Sequence, residues 1–207
     1  MKTNKRPEAQ IYRVDAKGVF LEALNDCFQF GRHHLRFVKY DTAQAEGSRI
    51  SAQVDIFLPA AHVARWGFLF DQGAMAPLVK KSRENGKDIP GIGHSGGTGK
   101  KKLAASGKTR QDGKAEYRAL SVKAGQAKDF LFQAVSGPGN EDEKGLITPA
   151  GKMDVSILVP LGMQDFFDLA WTLNVHYKGF LAGKYAPAAE EVAASIKEAF
   201  TKKAAPA

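Results

Sequence analysis

The chain has 207 residues, 43% of them hydrophobic and 25% charged, which suits one large or two small globular domains and excludes wholesale disorder. No run approaches the ~20 apolar residues of a membrane span and no secretory signal follows Met1 to Pro7, so a soluble, cytoplasmic protein is expected. The single cysteine, Cys27, excludes an internal disulfide and a Cys-rich zinc framework. A formal net charge of +8 favours a polyanionic partner.

Residues 1–10 read as a polar tail. Strand character follows in Ile11 to Val14 and Leu35 to Tyr40. Ile50, Ala52, Val54, Ile56 and Leu58 then alternate with Ser51, Gln53, Asp55 and Phe57, the period of a strand with one buried face, and Pro59 ends that run. From about Ala60 to Arg83 the period becomes helical, with Val63, Trp66, Phe70 and Leu78 or Val79 on one face, while Gly67, Gly73 and Pro77 predict an interruption.

Residues 85–115 hold eight glycines and seven basic residues against only Asp88 and Asp112. A segment with so little apolar surface cannot offset its ordering entropy, so a flexible basic linker is expected. Beyond it the plan of the first half returns. Tyr117 to Lys123 and Phe130 to Val135 are predicted strands, Met153, Val155, Ile157 and Val159 alternate with polar or outward positions, and Pro160 closes the run. Phe166, Ala170, Leu173, Tyr177 and Phe180 or Leu181 then mark a helical face, with Asp165 in the first turn. The two flanks, 11–84 and 116–184, read as an internal repeat. Residues 185–207 form a short terminal helix and tail, beginning at Pro187 with Val192, Ile196 and Phe200 on one stripe.

This layout of sheet, helix, basic linker, sheet, helix and terminal helix resembles the Whirly family of single-stranded nucleic-acid binding proteins. The likeness rests on Arg118 to Lys123, similar to the strand that opens that family's second repeat, and on Met153 to Pro160, similar to the strand feeding its second long helix. Ala16 to Leu21 is similar to the Lys-Gly-Lys-Ala-Ala-Leu segment of plant members. Lys17 and Gly18 match, whereas Val19 stands in place of the second lysine. The resemblance implies an α+β fold with two antiparallel four-stranded sheets, each followed by a helix, and subunits joined through those helices into a homo-tetramer with nucleic-acid surfaces on the sheets.

Binding an unpaired strand needs cations for the phosphates and flat rings for the bases, the latter worth ~1–3 kcal/mol per base. The candidates are Tyr12, Arg13, Lys17, Arg36, Lys39, Tyr40, Tyr117, Arg118, Lys123, Lys128, Phe130 and Phe132, with Lys100, Lys101 and Lys102 as an electrostatic tether in the linker or simply a solvated run. Strand geometry requires Phe130 and Phe132 to share a face, which is either the core or the binding surface.

Other chemistry lacks its context. Gly91 to Gly96 spells the dinucleotide pattern G-x-G-x-x-G, yet no hydrophobic strand precedes it and no helix follows directly. Gly107-Lys108-Thr109 ends like a phosphate-binding loop, but Lys102 holds the place of its first glycine. His33, His34, His62, His94 and His176 show no metal-ligand spacing, so a metal site would have to be assembled by the fold. Asp165 with Asp168, and Glu141 to Glu143, are explained by helix capping and solvation, and Cys27 has no nucleophile motif around it. The expected function is low-specificity binding of single-stranded DNA in replication, recombination, repair or transcription, without enzymatic activity, metal or cofactor. RNA binding on the same fold and an oligomeric scaffold or phage-type structural role are the alternatives.

Overall fold

The structure is a computed structural model that describes residues 9–203, the side chains of residues 187–189, 192 and 195–203 excepted. Most of the predicted tail, residues 1–10, lies outside the described residues, as do the side chains of the stripe of Val192, Ile196 and Phe200. The fold is α+β, with two antiparallel sheets and four α-helices.

The first sheet is a meander of β1 (Gln10–Ala16), β2 (Val19–Leu24), β3 (Arg32–Tyr40) and β4 (Ile50–Pro59), in that order. Lys17 and Gly18 make the two-residue turn between β1 and β2, with Gly18 at φ +70°, a conformation that glycine adopts without steric cost. In β4 the predicted alternation holds from Ala52 onward, where Val54, Ile56 and Leu58 are buried, Gln53 is exposed and Asp55 and Phe57 are half-buried; Ile50, at the start of the strand, is exposed instead of buried. Pro59 leads into α1 (Ala60–Asp71), and the expected interruption falls before α2 (Met75–Asn85), where Gly73 turns at φ +63°.

The second sheet has five strands rather than four: β5 (His94–Thr98), β6 (Ala115–Ala124), β7 (Phe130–Glu141), β8 (Ile147–Pro149) and β9 (Val155–Leu161). β6 lies between β5 and β7, while β8 and β9 pair with successive stretches of β7. Pro160 does not end β9, which continues to Leu161.

The extra strand comes from the segment expected to be a flexible linker. Residues 85–115 include β5 and α3 (Lys100–Ala105) and bury Ile89, Ile92 and Leu103. Ile89 N–H donates to the Val122 carbonyl at 2.7 Å. The glycines serve close packing here. A Cβ on Gly97 would sit 2.2 Å from the Glu116 carbonyl oxygen, and one on Gly93 would sit 2.8 Å from that of Leu120. Three anchoring apolar residues and a strand ladder therefore outweigh a composition that reads as linker.

The last helix, α4 (Met163–Lys203), is continuous where two helices are expected. Ala, Glu and Lys predominate from Ala188 to Lys197, and this run of strong helix formers carries the backbone through.

One hydrophobic core joins the layers. Leu21, Leu35, Phe37 and Ile56 from the first sheet meet Val122, Phe132, Ile157 and Val159 from the second, with Trp66 of α1 and Phe166 and Leu173 of α4 closing the cluster. Asn174 Nδ2 donates to the Val63 carbonyl at 3.3 Å, and Gly67 faces the same amide, so α1 and α4 approach closely. Among the described residues no helix is long and apolar enough to cross a membrane.

Candidate nucleic-acid interface

The two long phenylalanines of β7 belong to the core. Phe130 and Phe132 are fully buried and meet Phe166 edge-on, each with ring centroids 4.9 Å from it. Their shared face is the one that packs inward, so neither is available to a base. Tyr12 is also directed inward: its hydroxyl donates to the Asp165 carbonyl at 3.0 Å, and burial, followed by the charges of Asp168 and Asp165, pushes its pKa up to about 12.

On the outward face of the first sheet the cations have partners. Register aligns Arg13, Glu22, Arg36 and Asp55 across the four strands. Arg13 pairs with Asp15 at 2.6 Å and lies over the Phe20 ring, 3.7 Å from its centre. Arg36 pairs with Asp55 at 2.9 Å and reaches Glu22 at 3.4 Å. Tyr40 packs against Phe20, with centroids 5.7 Å apart. These groups are largely neutralised, which sets this face apart from a phosphate-binding surface.

Lys17 and Lys39 are exposed at the same end of that sheet and have no ion pair among the described residues. Lys100, Lys101 and Lys102 are exposed on α3, held by a helix rather than on a flexible tether. Lys123 lies 3.8 Å from Asp88, and Lys128 lies 3.9 Å from Asp165, both pairs well exposed and therefore weak.

The outward face of the second sheet is different. Alternation places Tyr117, Ala119, Ser121 and Lys123 of β6 beside Leu131, Gln133 and Val135 of β7 and Ser156 and Leu158 of β9. Gln133 donates to Ser156 at 2.9 Å on this face. No carboxylate occupies these positions. Tyr117 is half-buried, and its register neighbours are Gly97 and Gly137, where Ile147 and Met153 pack close against the backbone.

Beside it, a notch opens between the edge strands β4 and β5, lined by Arg32, Ile56, Phe57, His94, Gly96, Gly97 and Arg118. The Arg118 guanidinium carbon lies 5.8 Å from the centre of the Phe57 ring, and Arg118 also bonds Thr98 at 3.0 Å and Glu116. Arg32 is exposed and has no ion pair among the described residues. Burial first, then the nearby His62 and Arg32, lowers the His94 pKa, which keeps that ring neutral near pH 7. Of the expected residues, Arg118 alone lines this notch. Sequence reasoning missed Phe57, Arg32 and His94, although Phe57 carried a signal: it is an aromatic in the polar phase of an alternating strand.

The dinucleotide-like glycines form no phosphate cradle. Ile92 is buried and Gly93 is pressed against β6. The chain matches no family model, and no curated protein matches it in sequence.

Proposed function

We propose that this chain binds single-stranded DNA with little sequence preference and so supports replication, recombination, repair or transcription in the cytoplasm, without bond chemistry of its own. The observation that carries the reading is the notch between β4 and β5, where the guanidiniums of Arg32 and Arg118 flank a half-exposed aromatic ring, Phe57. A splayed base stacks on Phe57 or Tyr117 while phosphates follow Arg32 and the exposed lysines, and Arg118, held by Glu116 and Thr98, stands beside the Phe57 ring. A duplex keeps its bases stacked on each other and gains only the electrostatic part.

The Whirly-like layout of two sheets, each running into a helix, is part of this proposal, as is assembly into a homo-oligomer, a tetramer by that likeness. Supporting assembly, Phe68 and Trp171, both 61% exposed, line one groove between α1 and α4.

Fluorescence anisotropy with labelled oligo(dT), oligo(U) and a matching duplex at two salt concentrations tests the reading. The expected result is preference for oligo(dT), with Arg32→Ala lowering affinity and reducing the salt slope by ~0.7 per lost phosphate contact. Equal weak binding to dT and duplex, or none, rejects it in favour of a scaffold. Tighter binding of oligo(U) reassigns the partner to RNA, and degradation of the oligonucleotide would make the protein an enzyme. Light scattering on the wild type and on Trp171→Glu tests assembly, the variant being expected to dissociate.

A further inference from the structure

The turn between β2 and β3 brings together three donor groups. Asp26 and Cys27 lie in that turn, and His34, near the start of β3, pairs in register with Leu24 at the end of β2. A carboxylate oxygen of Asp26, the Cys27 Sγ and a ring nitrogen of His34 all lie within 4.8 Å of one another. Ligand atoms of a tetrahedral zinc site, with bonds of about 2.0–2.3 Å, are roughly 3.3–3.8 Å apart. Small side-chain adjustments would bring the three donors to that spacing.

The surroundings of His34 supply an independent observation. Its ring is buried, Nδ1 lies 3.0 and 3.1 Å from the two Asp26 oxygens, and Nε2 lies 2.9 Å from Asp55 Oδ1. Asp55 in turn accepts hydrogen bonds from Arg36 Nε and Gln53 Nε2, both at 2.9 Å. These hydrogen bonds hold the Asp55 carboxylate in place beside His34. A histidine whose far nitrogen is gripped by a fixed carboxylate has the tautomer and orientation that a metal requires. With Nε2 directed at Asp55, Nδ1 is the ring nitrogen that faces Asp26, the side on which a cation would sit.

We propose that Asp26, Cys27 and His34 form a binding site for a divalent transition cation of the zinc type, with Asp55 as the positioning residue for His34. The mixed oxygen, sulfur and nitrogen donors suit zinc rather than magnesium or calcium. Three protein ligands leave a fourth position open on the side of Asp26, whose side chain is 43% exposed. Coordination takes the Cys27 sulfur as thiolate, and its proton passes to solvent as the sulfur–metal bond forms. The site adjoins the proposed nucleic-acid surface, since the His34 ring packs against Phe57 with centroids 4.6 Å apart.

The test is a titration of the untagged, chelator-treated full chain with Co2+, followed by absorption. One equivalent is expected to bind with a thiolate-to-cobalt charge-transfer band in the near ultraviolet, and Zn2+ is expected to displace it. Cys27→Ser abolishes the band and weakens binding at least about tenfold, and Asp26→Asn weakens it similarly. Asp55→Asn retains the band but lowers affinity by about 10–100-fold. Cys27 and Asp26 lie in a turn, and circular dichroism without metal confirms that their variants fold. Absence of saturable binding, or a band and affinity unchanged in Cys27→Ser, overturns the proposal.

Discussion

The Tyr12 hydroxyl donates a 3.0 Å hydrogen bond to the backbone carbonyl of Asp165, fastening the first strand to the opening turn of α4 across 153 residues of sequence. Tyr12→Phe keeps the ring in place and removes this one bond, so a stability loss of about 1 kcal/mol is expected in urea unfolding. Affinity for oligo(dT) should stay at the wild-type value, since Tyr12 is not on the proposed binding face. A drop in affinity at equal stability would return Tyr12 to that face.

Phe132 and Tyr117 separate core from interface. Phe132 is fully buried against Trp66 and Phe166, and Phe132→Ala should cost about 3–5 kcal/mol of stability. Tyr117→Ala should change stability far less and weaken oligo(dT) binding by roughly 5- to 150-fold, the equivalent of one lost base stack, with the loss persisting at high salt. Denaturation curves and anisotropy measured on both variants check the pair, and the reverse pattern would invert the two faces of the second sheet.

His33 gives the protein an acid-side sensitivity. It is fully buried, neither ring nitrogen has a hydrogen-bond partner among the described residues, and it packs edge-on against Phe28 and Tyr177. Burial lowers its pKa to about 4. Between that value and the ordinary histidine value near 6.5 the unfolded chain binds the extra proton, so stability falls as pH drops through this window, by up to about 3 kcal/mol. Below it, the folded state is protonated too and this contribution levels off. His33→Phe should flatten the stability profile between pH 7 and 4, measured by urea midpoints; an unchanged slope would assign the effect to other groups.

Ordering of residues 85–115 predicts slow hydrogen exchange at the Ile89 amide and along the β5–β6 ladder. Gly97→Ala would force a Cβ against the Glu116 carbonyl and Ile147, and should expose β5 to proteolysis while lowering stability by more than ~1 kcal/mol. Free exchange throughout the segment would restore the flexible linker.

The alternation in β4 and β9, the helix after Pro59 with its break at Gly73, and the apolar face from Phe166 to Leu173 were legible in the sequence, because burial of one face imposes a period on the chain. Composition misled for residues 85–115, since glycine looks the same in a loose linker and in a strand pressed against its neighbour. Period also left open which face of a strand is buried. Phe130 and Phe132 had to share a side, and only the packing of the second sheet against Trp66 and Phe166 decided that it was the inner one. The same holds for charge. The sequence set the basic excess, but the register across four strands paired Arg36 with Asp55 and left Arg32 open beside Phe57. The turn before β3 likewise placed Asp26 and Cys27 against His34. Local sequence specifies periods and turns, whereas contacts between residues far apart in the chain depend on how the two sheets and their helices pack together.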